Sequence, residues 1–354
     1  YPVRISLSHA RSTNDEAVRL IASGQNPPFL VHAWAQTHGR GKLDRVWQGG
    51  AGVLTASWVY QFPKSYVGYD VVGLAGIVSA LSVTDAVKEL CESSRQVQVK
   101  WPNDVLIDGK KVSGILIEIR EGQEHFDVIA GIGVNVSRIP ALTDLTVYSL
   151  PPTSIFDNYN DDDMREAQID KTILKITEKL RIRLNALLTD RTLGAQRDDW
   201  QKLDSLNGKT IKISTPQNSY PLVANYAGIN DKGQLVAEFK GGRSKAFFSA
   251  DVVKIEDNDA ALSELKEQAG QIQSKITETA DGKYVLSSPI TGTVHAILVS
   301  VGQRVQQGDI LIYIEAMKSM LPLESEVAGT VSSIFTAEGD AIEFGDAILL
   351  IDVS

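Results

Sequence analysis

The chain has 354 residues, of which 43% are hydrophobic, and this suits two or three domains that each bury a core. The formal net charge is −9 and no run rich in lysine or arginine occurs, so the overall charge offers no electrostatic basis for binding DNA or RNA. A single cysteine, Cys91, excludes an intrachain disulfide and favours a reducing, cytoplasmic location. It could be a reactive thiol, but its place near the end of an apolar run favours a small core residue.

Helical and strand patterns alternate through the first part of the chain. Thr13 with Glu16 has the spacing of a capping box, and Asp70 stands where it could cap the apolar helix Val71 to Leu90. That helix carries charged residues and is too polar to span a bilayer, and no signal peptide is visible. Strands are predicted at Val31 to Ala35, Val53 to Tyr60, Val97 to Lys100 and Phe126 to Val136, with a hairpin over Val105 to Ile119 that turns at Asp108-Gly109. An amphipathic helix is expected to pack against the sheet through its apolar residues Ile169, Ile173, Ile176, Leu180, Leu184 and Leu187.

The pattern changes after Trp200. Short predicted strands separated by glycine-containing turns suggest a small barrel that ends near Ile255. Glu256 to Asp281 lacks strand patterning and is rich in Glu, Gln, Ala, Ser and Thr, which predicts a linker that is partly helical. We therefore place the domains at residues 1–195, 196–256 and 282–354, with the linker at 257–281.

The last domain contains an internal repeat. Gly292-Thr293-Val294 recurs as Gly329-Thr330-Val331, a spacing of 37 positions (329 − 292), and two later glycines recur at the same spacing. Two short β-rich copies predict one small barrel built from two related halves.

The hexapeptide Glu315 to Met320 joins the two copies. It closely resembles the Ala-Met-Lys-Met signature of biotinyl carrier domains, in which the lysine of a tight hairpin carries biotin through an amide bond. The resemblance implies that Lys318 is the biotinylated acceptor in a flattened all-β barrel. Ser319 departs from the usual methionine. A lipoyl domain has similar halves but normally Asp-Lys at the tip, and an exposed turn lysine in an ordinary barrel is the simplest alternative.

The loop Gly39 to Trp47 is the first feature that suggests chemistry. Its glycines let the backbone approach an anion, and three cations and a tryptophan follow within a few residues. It is neither a Walker loop nor a dinucleotide fingerprint, so an exposed basic loop with a packed tryptophan remains an alternative.

The second feature is Lys100-Trp101-Pro102-Asn103-Asp104 with the hairpin that follows it. If Asp108-Gly109 is a two-residue turn, Asp104 and Lys111 become diagonal neighbours on one face. They could form a structural ion pair, or a phosphate-binding cation beside a carboxylate that orients an amine. The third feature, Gly131 to Asn135, places small residues on a strand where a ligand can approach the backbone.

These features, together with Ser12-Thr13-Asn14, resemble the catalytic domain of a biotin protein ligase in the same order. The resemblance implies an α+β fold with a mixed sheet and helices, followed by an SH3-like β-barrel. It implies a biotin site formed by Ser12, Thr13, Gln36, Gly39, Arg40, Lys111, Gly114, Leu116 and Gly131, an ATP site formed by Arg45, Trp47, Lys100, Asn103 and Asn135, and catalytic roles for Arg40, Lys42, Asp104 and Lys111. For Ser12 and Thr13 a helix cap is the alternative role. No protein metal site is implied, since Mg²⁺ would be held mainly by the phosphates.

Two residues depart from the family pattern: Lys42 replaces the usual arginine, and Asp44 stands where glycine is frequent. Only eleven residues precede Ser12, so we expect no DNA-binding helix-turn-helix. The expected partners are a carrier domain, in this chain or another copy, and the subunits of a biotin-dependent carboxylase, with a homodimer as a further option.

The reaction that the resemblance implies has two steps, formation of biotinyl-5′-AMP from ATP and transfer of biotin to Lys318. Two alternatives stay open: a carboxylase carrier subunit whose ligase-like half is only a scaffold, and a lipoate ligase fused to a lipoyl domain.

Overall fold

The computed structural model describes residues 2–42, 45–66, 68, 70–139, 150–156, 162–215, 222–239, 244–254, 276–278, 283–316 and 319–353. The chain divides into two compact units. The first comprises Tyr1–Gln217, Asn225–Ala237 and Lys245–Lys254, and the second comprises Asn218–Ala224, Glu238–Ser244 and Ile255–Ser354.

A seven-stranded mixed sheet forms the centre of the first unit. Its strands are β1 (Val3–Ala10), β2 (Phe29–Gln36), β3 (Val53–Pro63), β4 (Val97–Lys100), β5 (Asp104–Ile107), β6 (Lys110–Glu121) and β7 (His125–Asn135). Their order is β1-β2-β3-β7-β6-β5-β4, with β1 and β2 parallel and every other neighbouring pair antiparallel. The predicted mixed sheet is therefore confirmed.

Helices cover both faces of this sheet. Helix α1 (Thr13–Ala22) packs on β2, β3 and β7, where Asn14 touches Gly131. Helix α2 (Val71–Leu90) packs on β4 to β7, where its Gly76 lies beside Ile117. Ile117 pairs with Ala130, and because side chains alternate along a strand, Ala130 and Gly131 point to opposite faces. The face that carries α1 is the one that positions the candidate site.

Helix α2 has the predicted bounds, and the 105–119 hairpin has the predicted turn. Asp108 and Gly109 have φ angles of 52° and 74°, the left-handed values of a type I′ turn. Two predicted helix caps are wrong. The N-cap of α1 is Ser12, whose side chain makes no capping bond, and Glu16 pairs with Arg19 instead. The side chain of Asp70 does not cap α2.

The remaining helices are α3 (Asp162–Asp190) and α4 (Gly194–Leu203). Helix α3 packs along α2, and its Thr177 hydroxyl accepts a hydrogen bond from Trp58 Nε1 of β3 at 2.9 Å, so it contacts a helix as well as the sheet. Strand β1 and helix α4 were not predicted, and α4 runs across the expected boundary at residue 196. Helix α2 has the length and hydropathy of a membrane span, contrary to its predicted polarity, but it is largely buried against protein, as core helices are.

The first unit also contains most of a five-stranded sheet. Its strands are β8 (Thr210–Ser214), β9 (Leu222–Ile229), β10 (Leu235–Glu238), β11 (Ser244–Phe247) and β12 (Asp251–Lys254), in the order β11-β10-β9-β8-β12. A close backbone contact joins it to α2, because a Cβ at Gly73 would lie 2.2 Å from the carbonyl oxygen of Lys232. Trp101 adds a hydrogen bond of 3.0 Å to the Gly233 carbonyl. The SH3-like topology remains a prediction.

The second unit contains two further sheets. One has the order β13-β14-β21-β19-β16 and the other β18-β17-β15-β20. The strands are β13 (Ile276–Glu278), β14 (Lys283–Ser287), β15 (Gly292–Ile297), β16 (Arg304–Val305), β17 (Ile310–Ala316), β18 (Ser319–Glu324), β19 (Gly329–Ile334), β20 (Ala341–Ile342) and β21 (Ala347–Asp352). Their inward side chains form one apolar core. Strand β13 lies inside the segment that was predicted as linker.

The 37-residue repeat is visible in the structure. Strands β15 and β19 begin at Gly292 and Gly329, and β16 and β20 begin 37 positions apart as well. The two halves also exchange equivalent hydrogen bonds: Gly308 N–H donates to the Ser325 carbonyl at 2.6 Å, and Gly345 N–H donates to the Ser288 carbonyl at 2.7 Å. The prediction of one barrel from two related halves is confirmed.

Candidate active site

A pair of glycines on the α1 face of the sheet forms the floor of the site. Gly114 of β6 pairs directly with Gly133 of β7, and the next pair along the face is Leu116 with Gly131. The indole of Trp47 lies on this floor, because a Cβ at Gly133 would be 2.1 Å from its Cε2 atom and a Cβ at Gly114 would be 3.1 Å from its Cζ3 atom. Any side chain at Gly133 would displace the ring. Small residues are therefore required here, as predicted, although the group they admit in this structure is Trp47.

The loop that carries Trp47 folds back on itself. Trp47 N–H donates to the Gly39 carbonyl at 2.9 Å, and Gly41 N–H donates to the Arg45 carbonyl at 2.6 Å. A Cβ at Gly39 would lie 2.3 Å from the Trp47 carbonyl oxygen, so this glycine is also required by a close backbone approach. The predicted Gly39–Trp47 loop is thus held in a hairpin-like form. Asp44 lies outside the described residues.

Two cations of this loop contact the segment that opens β12. Lys42 Nζ donates to the Ala250 carbonyl at 2.8 Å and lies 5.5 Å from the centre of the Trp101 ring. Arg45 forms an ion pair with Asp251. Burial lowers the pKa of Lys42 to about 8, with Asp251 opposing that shift. The loop is therefore bound at two points to a segment more than 200 residues away in sequence.

The 100–111 hairpin supplies two further cations. Lys111 Nζ lies 2.5 Å from Asp104 Oδ1, an ion pair without the alignment of a hydrogen bond, and 5.9 Å from the centre of the Trp47 ring. A bulge in β6 brings Asp104 opposite Gly114, and the predicted proximity of Asp104 and Lys111 is confirmed. Lys100 is buried, and burial lowers its pKa while Asp104 opposes the shift.

These side chains act on one another as a cluster. Lys42 and Lys100 are each influenced by the charges of Arg45, Asp104 and Asp251, and Lys100 also by Lys111. With every group ionised, four cations face two carboxylates, which leaves a formal excess of +2. A partly buried excess of positive charge beside a glycine floor is suited to binding an anion such as a phosphate.

A buried group of polar residues lies at the start of α1. Thr13 N–H donates to Gln36 Oε1 at 2.7 Å, and the Ser57 hydroxyl lies 2.8 Å from Thr13 Oγ1 and 2.6 Å from Asn14 Oδ1. Ser12 is buried beside them. The structure thus brings together the predicted residues Ser12, Thr13 and Gln36 and adds Asn14 and Ser57. Asn14 belongs to the Ser-Thr-Asn motif, whereas nothing in the sequence distinguished Ser57.

Arg40 contacts two carboxylates, and one of them, Glu118, accepts a hydrogen bond from Asn14 of this polar group. Its Nη2 atom is 2.7 Å from Asp15 Oδ1 and 3.0 Å from Glu118 Oε1. Neither acid was among the predicted site residues. Strand alternation could have identified Glu118, because it shares a face of β6 with Gly114 and Leu116. Asp15, Arg40 and Glu118 line an open depression of about 480 Å³, together with Val18, Ile119, Arg120 and Ile129.

The two asparagines predicted to bind ATP differ in their hydrogen bonding. Asn103 Nδ2 donates to the Ile115 carbonyl at 2.7 Å, so its side chain supports the hairpin. Asn135 is buried and its Nδ2 donates to the Thr153 carbonyl at 2.9 Å, while its Oδ1 atom has no hydrogen-bond partner among the described residues. Thr153 N–H in turn donates to the Lys111 carbonyl at 2.9 Å, which braces that lysine. The role of Asn135 in binding ATP stays a prediction.

The predicted acceptor, Lys318, lies outside the described residues, as does Met317. Their flanking strands are described: β17 ends at Ala316, which pairs with Ser319 at the start of β18. Among the residues that the structure describes, no group of three or more His, Cys, Asp or Glu side chains is arranged to hold a metal ion.

Two segments of the chain match known protein families. Residues 8–135 match the Biotin/lipoate A/B protein ligase family, and residues 284–351 match the family described as Biotin-requiring enzyme. A biotin–[acetyl-CoA-carboxylase] ligase of Paracoccus denitrificans is 29% identical over 239 residues, which cover 67% of this chain and 95% of that protein. The bifunctional ligase/repressor BirA of Bacillus subtilis is 35% identical over 132 residues, but these cover only 39% of that protein.

Among solved structures, the chain is similar in fold to a biotin protein ligase from Aquifex aeolicus in complex with biotin and ATP. The TM-score is 0.55 with 22% sequence identity, over 73% of this chain and all of that one. This similarity supports the α+β fold of the first unit.

Proposed function

We propose, from the match of residues 8–135 to the Biotin/lipoate A/B protein ligase family and of residues 284–351 to the biotin-requiring enzymes, that the chain is a ligase that makes biotinyl-5′-AMP and transfers biotin to a carrier domain, in this chain or in another copy. The observation that carries the proposal is the cationic cluster on the glycine floor, with a group of buried polar side chains at the start of α1. The polar side chains suit the uncharged ring end of biotin, and the cationic cluster suits a carboxylate that meets a triphosphate.

In the first step, the biotin carboxylate attacks the α-phosphorus of ATP. A bond forms between the carboxylate oxygen and phosphorus, and the bond to the bridging oxygen breaks, so that pyrophosphate leaves. Negative charge accumulates at the reacting phosphate, and Lys42, Lys100 and Lys111 offset it without having to reorganise, because the protein already holds them. Mg²⁺, bound mainly by the phosphates, would neutralise further charge.

In the second step, the ε-amine of Lys318 attacks the carbonyl carbon of the mixed anhydride and AMP leaves. The amine must first lose a proton, since a free lysine has a pKa of about 10.4. Asp104 is the carboxylate in the cluster that lies on the hairpin beside Lys111, and we assign it the role of orienting this amine and accepting its proton. The acceptor role of Lys318 rests on its Ala-Met-Lys sequence context and on the match of residues 284–351.

The wider setting follows from this reaction. A biotinylated carrier serves biotin-dependent carboxylases, so their subunits are the partners we propose, in the cytoplasm. A homodimer is compatible with the proposal, and DNA and membranes have no part in it.

The test is the intact mass of purified protein after incubation with Mg²⁺, ATP and either biotin or lipoate. We expect a mass increase of one biotinyl group, with lipoate giving none. Lys318→Arg keeps the charge but cannot form the amide, so it should abolish the increase while biotin-dependent exchange of pyrophosphate into ATP continues. Exchange without any mass increase in the wild type would remove the acceptor role, and modification by lipoate alone would reassign the substrate.

A further inference from the structure

Arg40 is bound by more negative charge than it can balance. Its guanidinium contacts the carboxylates of both Asp15 and Glu118, so this group of three side chains carries a formal charge of −1. A third carboxylate, brought by a substrate, would be repelled from this position. We therefore expect Arg40 to bind a substrate carboxylate more tightly once it has left these two partners.

Glu118 is also hydrogen-bonded to the buried polar residues at the start of α1. Its Oε2 atom accepts a hydrogen bond of 2.8 Å from Asn14 Nδ2, and the other side of that amide, Asn14 Oδ1, lies 2.6 Å from the Ser57 hydroxyl. Asn14 also lies against Gly131, where a Cβ would be 2.4 Å from its Oδ1 atom. Asn14 thus holds Glu118 in place, and Glu118 in turn holds Arg40.

The spacing of residues along β6 allows the Arg40 side chain to move from Glu118 towards Leu116. Glu118 is two residues from Leu116 on the same face of β6, a distance of about 7 Å, which an arginine side chain can sweep without backbone movement. Asp15 holds the guanidinium less firmly, because its side chain is 51% exposed whereas that of Glu118 is 33% exposed and is anchored by Asn14.

We propose that Glu118 is a positioning residue that holds Arg40 out of the site in the ligand-free protein and releases it to the carboxylate of the substrate. One carboxylate replaces another on the same guanidinium, so Glu118 sets the affinity for the charged end of the substrate. Asn14, which Glu118 orients, contacts the uncharged end. The identity of the substrate rests on the proposed function; the contact between Glu118 and Arg40 does not.

The first test uses the protein without ligand. Glu118→Gln keeps an oxygen acceptor for Asn14 and removes the charge that holds Arg40. Trypsin cleavage after Arg40 should then become about threefold faster or more, because an ion pair of this exposure restrains the side chain by a few-fold in population. Glu121→Gln is the matched control, since Glu121 lies on the same strand and pairs with Lys64 at 2.6 Å. Equal cleavage after Arg40 in Glu118→Gln and the wild type would overturn the proposal.

The second test titrates biotin and the uncharged biotinamide. Glu118→Gln should bind biotin about two- to fivefold more tightly and leave biotinamide unchanged, because a competing carboxylate has been removed. Asp15→Asn should change biotin affinity in the same direction but less, and Glu118→Gln should have no effect in an Arg40→Ala background. Weaker biotin binding, or an equal change for both ligands, would contradict the exchange. If the wild type binds neither ligand, the proposed function fails, while the cleavage assay still decides whether Glu118 holds Arg40.

Discussion

Arg45 and Asp251 lie 206 positions apart and form an ion pair between the glycine-rich loop and the first residue of β12. The adjacent Ala250 carbonyl accepts a hydrogen bond from Lys42 in the same loop. Because Lys42, Arg45 and Lys100 repel one another, Asp251 is needed to keep the loop against the rest of the site.

We predict that Asp251→Asn loosens this loop and weakens binding of the triphosphate. The KM for ATP in pyrophosphate exchange should rise about three- to tenfold, as the loss of one partly buried ion pair implies. Asp231→Asn is the control, because Asp231 forms a more exposed ion pair with Arg197, away from this loop. An unchanged KM would show that the loop does not depend on Asp251.

Lys111→Ala is expected to reduce pyrophosphate exchange by about 10²- to 10³-fold, the usual cost of removing a group that stabilises transition-state charge. Thr153 holds the backbone of Lys111 and Asp104 holds its side chain. We therefore expect that no neighbouring cation can take its place at the reacting phosphate. The neighbouring Lys110 is exposed, and Lys110→Ala should exchange pyrophosphate normally. Near-normal exchange by Lys111→Ala would exclude Lys111 from the first step.

We predict that Lys42 makes pyrophosphate exchange depend on pH near 8. Its pKa is lowered to about 8 by burial, so the side chain loses its charge as the pH rises through 8. The rate of pyrophosphate exchange in the wild type should therefore fall between pH 7 and 9, whereas Lys42→Arg should remain active, because arginine stays protonated.

Lys42→Arg should also retain biotinyl-adenylate better, because a guanidinium can bind a phosphate through two hydrogen bonds. It should therefore reduce labelling of an unrelated protein added to the reaction. Parallel pH profiles, or unchanged bystander labelling, would count against these roles of Lys42.

Asp204 is predicted to make the first unit less stable at neutral than at acidic pH. It accepts hydrogen bonds from Trp200, Tyr226 and the Leu206 N–H, yet burial raises its pKa to about 6. A solvated aspartate titrates near pH 3.9, so the folded state binds the proton more tightly than the unfolded state. The resulting stabilisation is complete below about pH 4 and is lost as the pH rises through 6.

Asp204→Asn removes this titration. Relative to the wild type, its free energy of unfolding should increase between pH 4 and 7 by an amount on the order of 2–3 kcal/mol. Denaturant unfolding followed by tryptophan fluorescence measures it, since all five tryptophans precede residue 254 and report on the first unit. A difference between the two proteins that does not vary with pH would show that Asp204 is not protonated on folding.

Local patterns in the sequence predicted the elements that depend on neighbouring residues. Asp108-Gly109 determined the hairpin turn, because both residues adopt positive φ readily, and that turn placed Lys111 beside Asp104. The capping box failed for a related reason: Glu16 had an alternative partner, Arg19, one turn along the same helix. Local spacing allowed both pairings, and the sequence offered no way to rank them.

By itself, the sequence determined the two repeated halves of the carrier, the course of α2, the hairpin and the set of cations and glycines that form the site, because periodicity and turn chemistry act over a few residues. Only the tertiary structure decided which groups these side chains meet. Arg40 contacts Glu118, 78 positions away, Asn103 supports its own hairpin, and the indole of Trp47 lies on the Gly133 backbone. Such partners are set by strand order and burial across the whole sheet, which no short stretch of sequence contains.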